Sequence, residues 1–277
     1  MKKNKKKILI LFTSGSLGGT EISLTRMALY KSNLFEYQLA TMGSHGDWSD
    51  FCTKNKLDPK VFGNSDAKLK FLGFNLKSIK NLYKEINLVS YELIYVFGFR
   101  LSILIRLLRI FTSKFKIVVG IRWNPNSKTK LDKIFRISES FLFKTVNNYI
   151  CNSIAAYDTM LRIKPEFKKR VSIIYNGVNI SKENFQFIDS EDNNIIFPAN
   201  ILKSKGHIQF LDIIYEVIKV FPNVKFLIAG KDKLKGELNI EIKNRGLEKY
   251  IDVLGFQKNL YHLMRNSKFM VLPSYSE

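Results

Sequence analysis

Cysteine is nearly missing from this sequence: Cys52 and Cys151 are the only two in 277 residues, far apart and without metal-site spacing. The simplest reading is two reduced thiols in a cytosolic protein. The three histidines, His45, His207 and His262, are scattered without clustered partners, so no metal site is expected. Six prolines leave no proline-rich linker. Long uncharged apolar runs are also lacking. The longest candidate, Leu101 to Ile121, is broken by Arg106, Arg109, Lys114 and Lys116, and a membrane span needs about 20 mostly apolar residues. The N-terminal lysines, Lys2 to Lys7, precede a short apolar run, Ile8 to Phe12, that enters a glycine loop. This pattern is a strand rather than a signal peptide.

Negative charge is scarce as well. Twenty-four acids face 45 lysines and arginines, for a net charge of +21. Such an excess suits an anionic partner: nucleic acid, a phospholipid surface or a phosphorylated small molecule. Abundant lysine, asparagine and isoleucine offer a compositional origin instead, and both explanations stand at this point. The basic residues are not gathered on one segment or interleaved with aromatics, so specific nucleic-acid recognition is not expected. With 45% hydrophobic and 25% charged residues the chain is globular, and its length suits two domains of roughly 150 residues.

Strand and helix patterns alternate. Strand-like runs fall at Lys7 to Phe12, Tyr37 to Met42, Leu93 to Phe97, Lys116 to Ile121, Asn148 to Asn152 and Val171 to Tyr175. Helical patterns lie at Glu21 to Tyr30, Leu76 to Leu88, Leu101 to Phe111 and Leu131 to Val146. Continuously apolar strands separated by helices indicate a parallel sheet buried on both faces. A second series follows the polar stretch Ser181 to Asn194, which reads as a linker. Its strands are Ile195 to Pro198, Val224 to Ala229, Ile251 to Leu254 and Phe269 to Leu272, with a helix carrying Phe210, Ile213, Ile214, Val217 and Phe221 and stopped by Pro222. The expectation is an α/β protein of two Rossmann-like, doubly wound domains, 1–180 and 181–277, facing a ligand cleft.

Four segments carry chemistry. Ser14 to Glu21 holds Gly15, Gly18 and Gly19 between a strand and a helix, where free amides suit an anion or a sugar hydroxyl. It lacks the dinucleotide G-x-G-x-x-G spacing and the P-loop Gly-Lys-Ser/Thr, so a plain structural turn remains an equal reading. Asn176-Gly177 after a strand is a turn or a site edge. Lys205, beside a helix start in Lys203-Ser204-Lys205-Gly206-His207, suits a diphosphate, since fixed charge and amide dipoles act on the same anion. The chain closes on Val271-Leu272-Pro273-Ser274-Tyr275-Ser276-Glu277, a strand delivering an acid.

These segments, with Ala229-Gly230 and Leu254-Gly255-Phe256, occur in an order that resembles the retaining, GT-B-fold glycosyltransferases of group 1, or family 4. The resemblance covers nearly the whole chain and is most specific in its second half. It implies an N-terminal acceptor domain and a C-terminal domain that binds a nucleotide-sugar, with transfer in the cleft and no metal or other cofactor. It implies that Lys205 holds the donor diphosphate, that Gly230, Gly255, Phe256 and Ser274 line the donor, and that Gly18 and Gly19 face it. Glu277 matches the first acid of the family's Glu-x7-Glu motif, so the chain is expected to be truncated there and its second domain incomplete. Asn200 stands where many members have arginine, and Arg122 ends a strand where many carry a histidine. Arg122 suits an acceptor phosphate or the donor but not proton transfer, because arginine stays protonated.

The resulting expectation is a cytoplasmic transferase moving a hexosyl-type sugar to a polysaccharide or glycolipid acceptor. An inactive transferase fragment and a basic protein binding nucleic acid or lipid are the alternatives. A peripheral place at the inner face of the cell membrane stays open. The segment from Arg100 to Ser113 sets Ser102, Arg106, Arg109 and Ser113 on one helix face and Leu101, Leu104, Ile105 and Leu108 on the other. It reads as a lipid-surface helix or as a core helix with an exposed arginine face.

Overall fold

The structure, a computed structural model, describes residues 5–30, 32–63, 70–112, 115–123, 130–177, 193–257 and 259–275. It divides into two compact units, Met1–Asn179 and Ile180–Glu277.

The N-terminal unit begins with β1 (Lys6–Phe12), α1 (Gly19–Leu29), β2 (Phe35–Thr41), α2 (Asp47–Lys54) and β3 (Lys60–Val61). A small antiparallel pair, β4 (Lys70–Phe71) and β5 (Phe74–Asn75), leads into α3 (Leu76–Leu88). Then come β6 (Tyr91–Phe97), α4 (Phe99–Thr112), β7 (Lys116–Ile121), α5 (Lys130–Leu142), β8 (Asn148–Cys151), α6 (Ile154–Ile163) and β9 (Val171–Ile173). Seven strands form one parallel sheet in the order β3-β2-β1-β6-β7-β8-β9.

The continuous apolar strands divide their side chains between two cores, because successive residues point to opposite faces. Leu9 and Leu11 of β1 join Ile94, Val96, Ile117 and Val119 beneath α3 to α6. Ile10 and Phe12 join Tyr95, Phe97, Leu24, Trp48 and Cys52 beneath α1 and α2. Side-chain caps start α3 and α6: Asn75 Oδ1 accepts from the Lys77 amide at 2.8 Å, and Ser153 Oγ from the Ala156 amide at 3.2 Å.

Helix α4 corrects the sequence reading. Its leucine and isoleucine face is buried as expected, with Leu101, Leu104, Ile105 and Leu108 at 9% exposure or less. Arg106, however, is not presented to solvent. It is 7% exposed and Nη2 meets Glu139 Oε1 of α5 at 2.6 Å, while Tyr149 of β8 donates to Glu139 Oε2 at 2.5 Å. Arg109 donates to the Thr145 carbonyl and to Asn147 Oδ1. Both arginines are therefore structural, and neither belongs to a lipid-facing arginine stripe; Ser113 lies outside the described residues.

The C-terminal unit contains β10 (Asn194–Phe197), α7 (His207–Val220), β11 (Lys225–Ala229), α8 (Glu237–Asn244), β12 (Ile251–Gly255), α9 (Leu260–Arg265) and β13 (Phe269–Met270). Its parallel sheet runs β12-β11-β10-β13. One core joins Phe210, Leu211 and Ile214 of α7 and Leu238 and Ile242 of α8 to the strands. Ile213 and Phe221, placed on the inward face by spacing, are 52% and 63% exposed, since the buried stripe runs through Leu211 instead. Of the expected linker, Ser181 to Asn194, residues 181–192 lie outside the described residues, and Asn194 already opens β10.

Candidate functional site

In open α/β sheets a ligand binds beyond the carboxyl ends of the strands where strand order reverses. The N-terminal sheet reverses between β1 and β6, and the C-terminal sheet between β10 and β13. In both places a left-handed glycine lets the two emerging loops meet. Gly98 follows β6 with φ +93°, and a Cβ there would stand 2.6 Å from Thr13 Cγ2 in the loop after β1. Gly206 precedes α7 with φ +77°, and a Cβ there would overlap the Pro273 carbonyl oxygen in the loop after β13.

Around the N-terminal reversal, Gly15, Gly43 and Gly63 pack backbone against backbone, so the loops after β1, β2 and β3 form one layer. Gly18 caps α1 with extended backbone, and Gly19 opens the helix. The carboxylate of Glu21 lies back over this turn, 2.9 Å from where a Gly18 Cβ would stand. Burial raises its pKa, and the backbone amides of Glu21 and Gly18 oppose the rise. Amides that the sequence offers to an external anion thus already face the chain's own acid.

Arg122 follows β7. Its guanidinium donates to Asn176 Oδ1 in the segment after β9 and lies 5.7 Å from the Phe97 ring centroid. It also faces Tyr95, whose hydroxyl pKa is raised by burial and drawn back by the Arg122 charge. Beside it, Trp123 Nε1 donates to Asp132 at 3.1 Å and anchors the start of α5.

The C-terminal loops are more tightly joined. After β10 the chain runs through Asn200 and a 3-10 turn, Lys203–Lys205, before α7. The Tyr275 amide donates to the Ser204 carbonyl at 2.9 Å, which brings the segment bearing Ser274 beside the turn bearing Lys205. Ser274 Oγ is buried and has no hydrogen-bond partner among the described residues. His207, the first residue of α7, is 1% exposed and stacks on Phe197 with centroids 4.0 Å apart and planes 3° from parallel. Burial lowers its pKa, and the Leu202 and Ala199 backbone tempers that shift without completing well-formed hydrogen bonds. The neutral ring is a packing element.

On the other side of β10, Asn200 Oδ1 accepts from the Lys231 amide at 3.0 Å, and Ile201 and Lys231 are bonded through their backbones at 3.0 Å. A Cβ on Gly230 would collide with the Ala199 carbonyl, and the Gly230 amide donates to the Gly255 carbonyl at 2.8 Å. Gly255 takes φ +64° and turns the chain so that Phe256 is 59% exposed, with the Lys231 ammonium 5.1 Å from its ring centroid. Asn200, Gly230, Gly255 and Phe256 therefore share one wall at the carboxyl edge of the sheet. Lys231 is the neighbour of this wall that sequence reasoning missed; it follows Gly230 just past the end of β11 and, unlike Lys205, has no helix start beside it to mark it. Glu277 lies outside the described residues. Among the described residues no group of three His, Cys, Asp or Glu side chains is placed to hold a metal ion.

Residues 179–277 match the family described as glycosyl transferases group 1. That match covers the C-terminal unit. The match extends in weaker form across the N-terminal unit: the chain is 27% identical over 282 residues to the capsular polysaccharide biosynthesis glycosyltransferase CapH of Staphylococcus aureus, covering 98% of this chain and 76% of CapH. It is 25% identical over 219 residues to an N-acetylgalactosamine-N,N'-diacetylbacillosaminyl-diphospho-undecaprenol 4-alpha-N-acetylgalactosaminyltransferase of Campylobacter jejuni, covering 76% of this chain and 58% of that one. Among solved structures, Anabaena HepE in complex with UDP and glucose superposes with a TM-score of 0.76 at 18% identity, over 97% of this chain and 74% of HepE. The chain thus has the GT-B fold, as does its likeness at TM-score 0.72 and 12% identity, sucrose-phosphate synthase from Thermosynechococcus elongatus.

Proposed function

We propose that this protein is a group 1 glycosyl transferase that moves a sugar from a nucleoside-diphosphate donor, with retention and without a metal, to a glycan or lipid-linked acceptor in cell-surface polysaccharide or glycolipid synthesis. The carrying observation is the carboxyl edge of the C-terminal sheet, where Lys205 stands at a helix-starting turn on one side of β10 and Lys231 beside Phe256 on the other. As the glycosidic bond breaks, negative charge grows on the departing diphosphate and positive character on the sugar. Fixed cations beside the diphosphate lower that barrier because they need not reorganise. Lys231 supplies the second positive charge that Asn200 does not, and Asn200 sets the position of Lys231 by accepting from its amide. The exposed Phe256 ring offers a stacking face for the nucleoside base.

The names of the relatives support the acceptor class: capsular polysaccharide synthesis for one and a diphospho-undecaprenol acceptor for the other. A cytoplasmic location is part of the proposal, since nucleotide-sugars are its substrates. The test is a panel of UDP- and GDP-sugars with chelator present, read as nucleoside diphosphate released and as the anomer formed. Lys205→Ala should lower turnover about 10²-fold with the fold intact by circular dichroism. Turnover unaffected by Lys205→Ala, or product of inverted configuration, overturns the reading. Nucleic-acid binding remains the rival, and tight salt-dependent binding without any preference among nucleotide-sugars would favour it.

A further inference from the structure

The outward faces of α4 and α5 are apolar where a surface helix is usually polar. α4 leaves Leu107, Ile110 and Phe111 at 38%, 73% and 76% exposure. α5 leaves Leu131, Ile134, Ile137 and Phe141 between 48% and 79% exposed, spaced along one side of the helix. The two helices are neighbours: Arg106 pairs with Glu139, and Phe99 packs edge-on against Phe135 at 5.5 Å. Arg100 of α4 and Leu131 of α5 line one cavity of about 330 Å³ together with Thr13 and Gly73.

The charge on this face has one sign. α4 contains no acid, and the two acids of α5, Asp132 and Glu139, are 7% and 0% exposed. What remains outside is Arg100, Lys130 and Lys133, with Lys144 just beyond the end of α5, all exposed. A protein partner recognised through an apolar patch would leave these cations to be matched by scattered acids, whereas an anionic bilayer matches all of them at once. Apolar side chains at the level of the acyl chains and lysines at the headgroups are the arrangement of an interfacial helix.

We propose that α4 and α5 form a docking face for an anionic phospholipid surface, with Ile110, Phe111, Ile137 and Phe141 entering the interface and Lys130, Lys133 and Lys144 meeting the headgroups. The surface differs from the arginine stripe expected from sequence: Arg106 and Arg109 hold the helices in place, and the apolar residues between them make the contact. Lipid docking is independent of the transfer reaction.

The test is flotation of the full chain with phosphatidylcholine vesicles and with vesicles containing 30% phosphatidylglycerol. Binding is expected to the second kind alone and to weaken as salt rises. Lys130→Glu with Lys133→Glu and Lys144→Glu should lower bound protein at least tenfold, and Phe111→Ser with Phe141→Ser should abolish binding even at low salt. All of these positions are exposed, so thermal melting should stay unchanged, and so should release of nucleoside diphosphate from a soluble donor and acceptor. Equal binding to both vesicle types, or parental binding by either variant, overturns the proposal. A concentration-dependent dimer that Phe111→Ser with Phe141→Ser dissociates overturns it too, since the face would then be an interface between copies.

Discussion

Gly206 and the Pro273 carbonyl are in contact across the point where the C-terminal sheet reverses, so closely that no side chain fits between them. Gly206 also holds φ +77°, in the left-handed region that glycine alone enters without cost. Gly206→Ala should therefore cost roughly 1–3 kcal/mol from backbone strain and force the Lys205 turn away from the Ser274 segment. Urea unfolding and the donor KM measure the two effects separately. A variant with parental stability and KM would show that the contact does not position the turn.

Lys231 and Lys205 are assigned to the same anion, and that assignment predicts coupling. Each single alanine substitution should slow turnover, and the double should fall short of the product of the two if they share the diphosphate. Lys231→Arg keeps the charge and should retain much of the rate, whereas Asn200→Ala should weaken donor binding through Lys231 while leaving melting nearly unchanged. Fully multiplicative effects would place the two lysines on different groups.

The Arg106–Glu139 pair is almost completely shielded, so removing one partner strands the other charge. Glu139→Gln should destabilise the N-terminal unit by about 3–5 kcal/mol. Replacing the whole cluster, Arg106→Met with Glu139→Leu and Tyr149→Phe, should recover most of that loss, because well-packed apolar residues match a buried ion pair in stability and no hydroxyl is left unpaired. Chemical denaturation of these two variants beside the parent tests this, and a combined variant as unstable as Glu139→Gln would mean the pair has no apolar substitute.

His207 ties stability to pH. Its folded-state pKa lies below the ordinary value of 6.5 because burial opposes the charge. Its contribution to stability is thus full above pH 6.5 and declines as pH falls through the lowered pKa, since the unfolded chain takes up the proton first. Melting temperature should drop between pH 7 and pH 5, and His207→Phe, which keeps the stack on Phe197, should flatten that part of the profile. An unchanged slope in His207→Phe would assign the dependence to other groups.

The fold class was largely legible because its strands are long, apolar and separated by helical periods, and seven-residue runs such as Lys6–Phe12 leave little choice of structure. Short elements were not. Helix α2 rests on Trp48 and Cys52, two buried apolar residues four apart, too few to show a period. Helix α5 was read as running to Val146, yet it ends at Leu142 and a 3-10 turn turns Phe143 and Val146 inward. Among candidate site residues, Asn200, Gly230, Gly255 and Phe256 follow from the resemblance, and their common place at one sheet edge is what the structure adds. The partners of Arg106 could not, because Glu139 and Tyr149 are brought to it by tertiary packing alone. The role of Glu21 over the glycine turn was hidden for the same reason.

Strand β1 lies in the middle of its sheet, and this has a consequence for synthesis. Its partner β2 follows closely, but the pairing of Ile8 with Leu93 waits for a strand made eighty-odd residues later. At about 5–20 residues per second, Leu9, Ile10 and Leu11 leave the ribosome several seconds before their second neighbour exists. The nascent chain is a natural client for chaperones that hold apolar segments. Yield in the cell should depend on translation speed and chaperone supply more steeply than the melting temperature of the finished protein suggests.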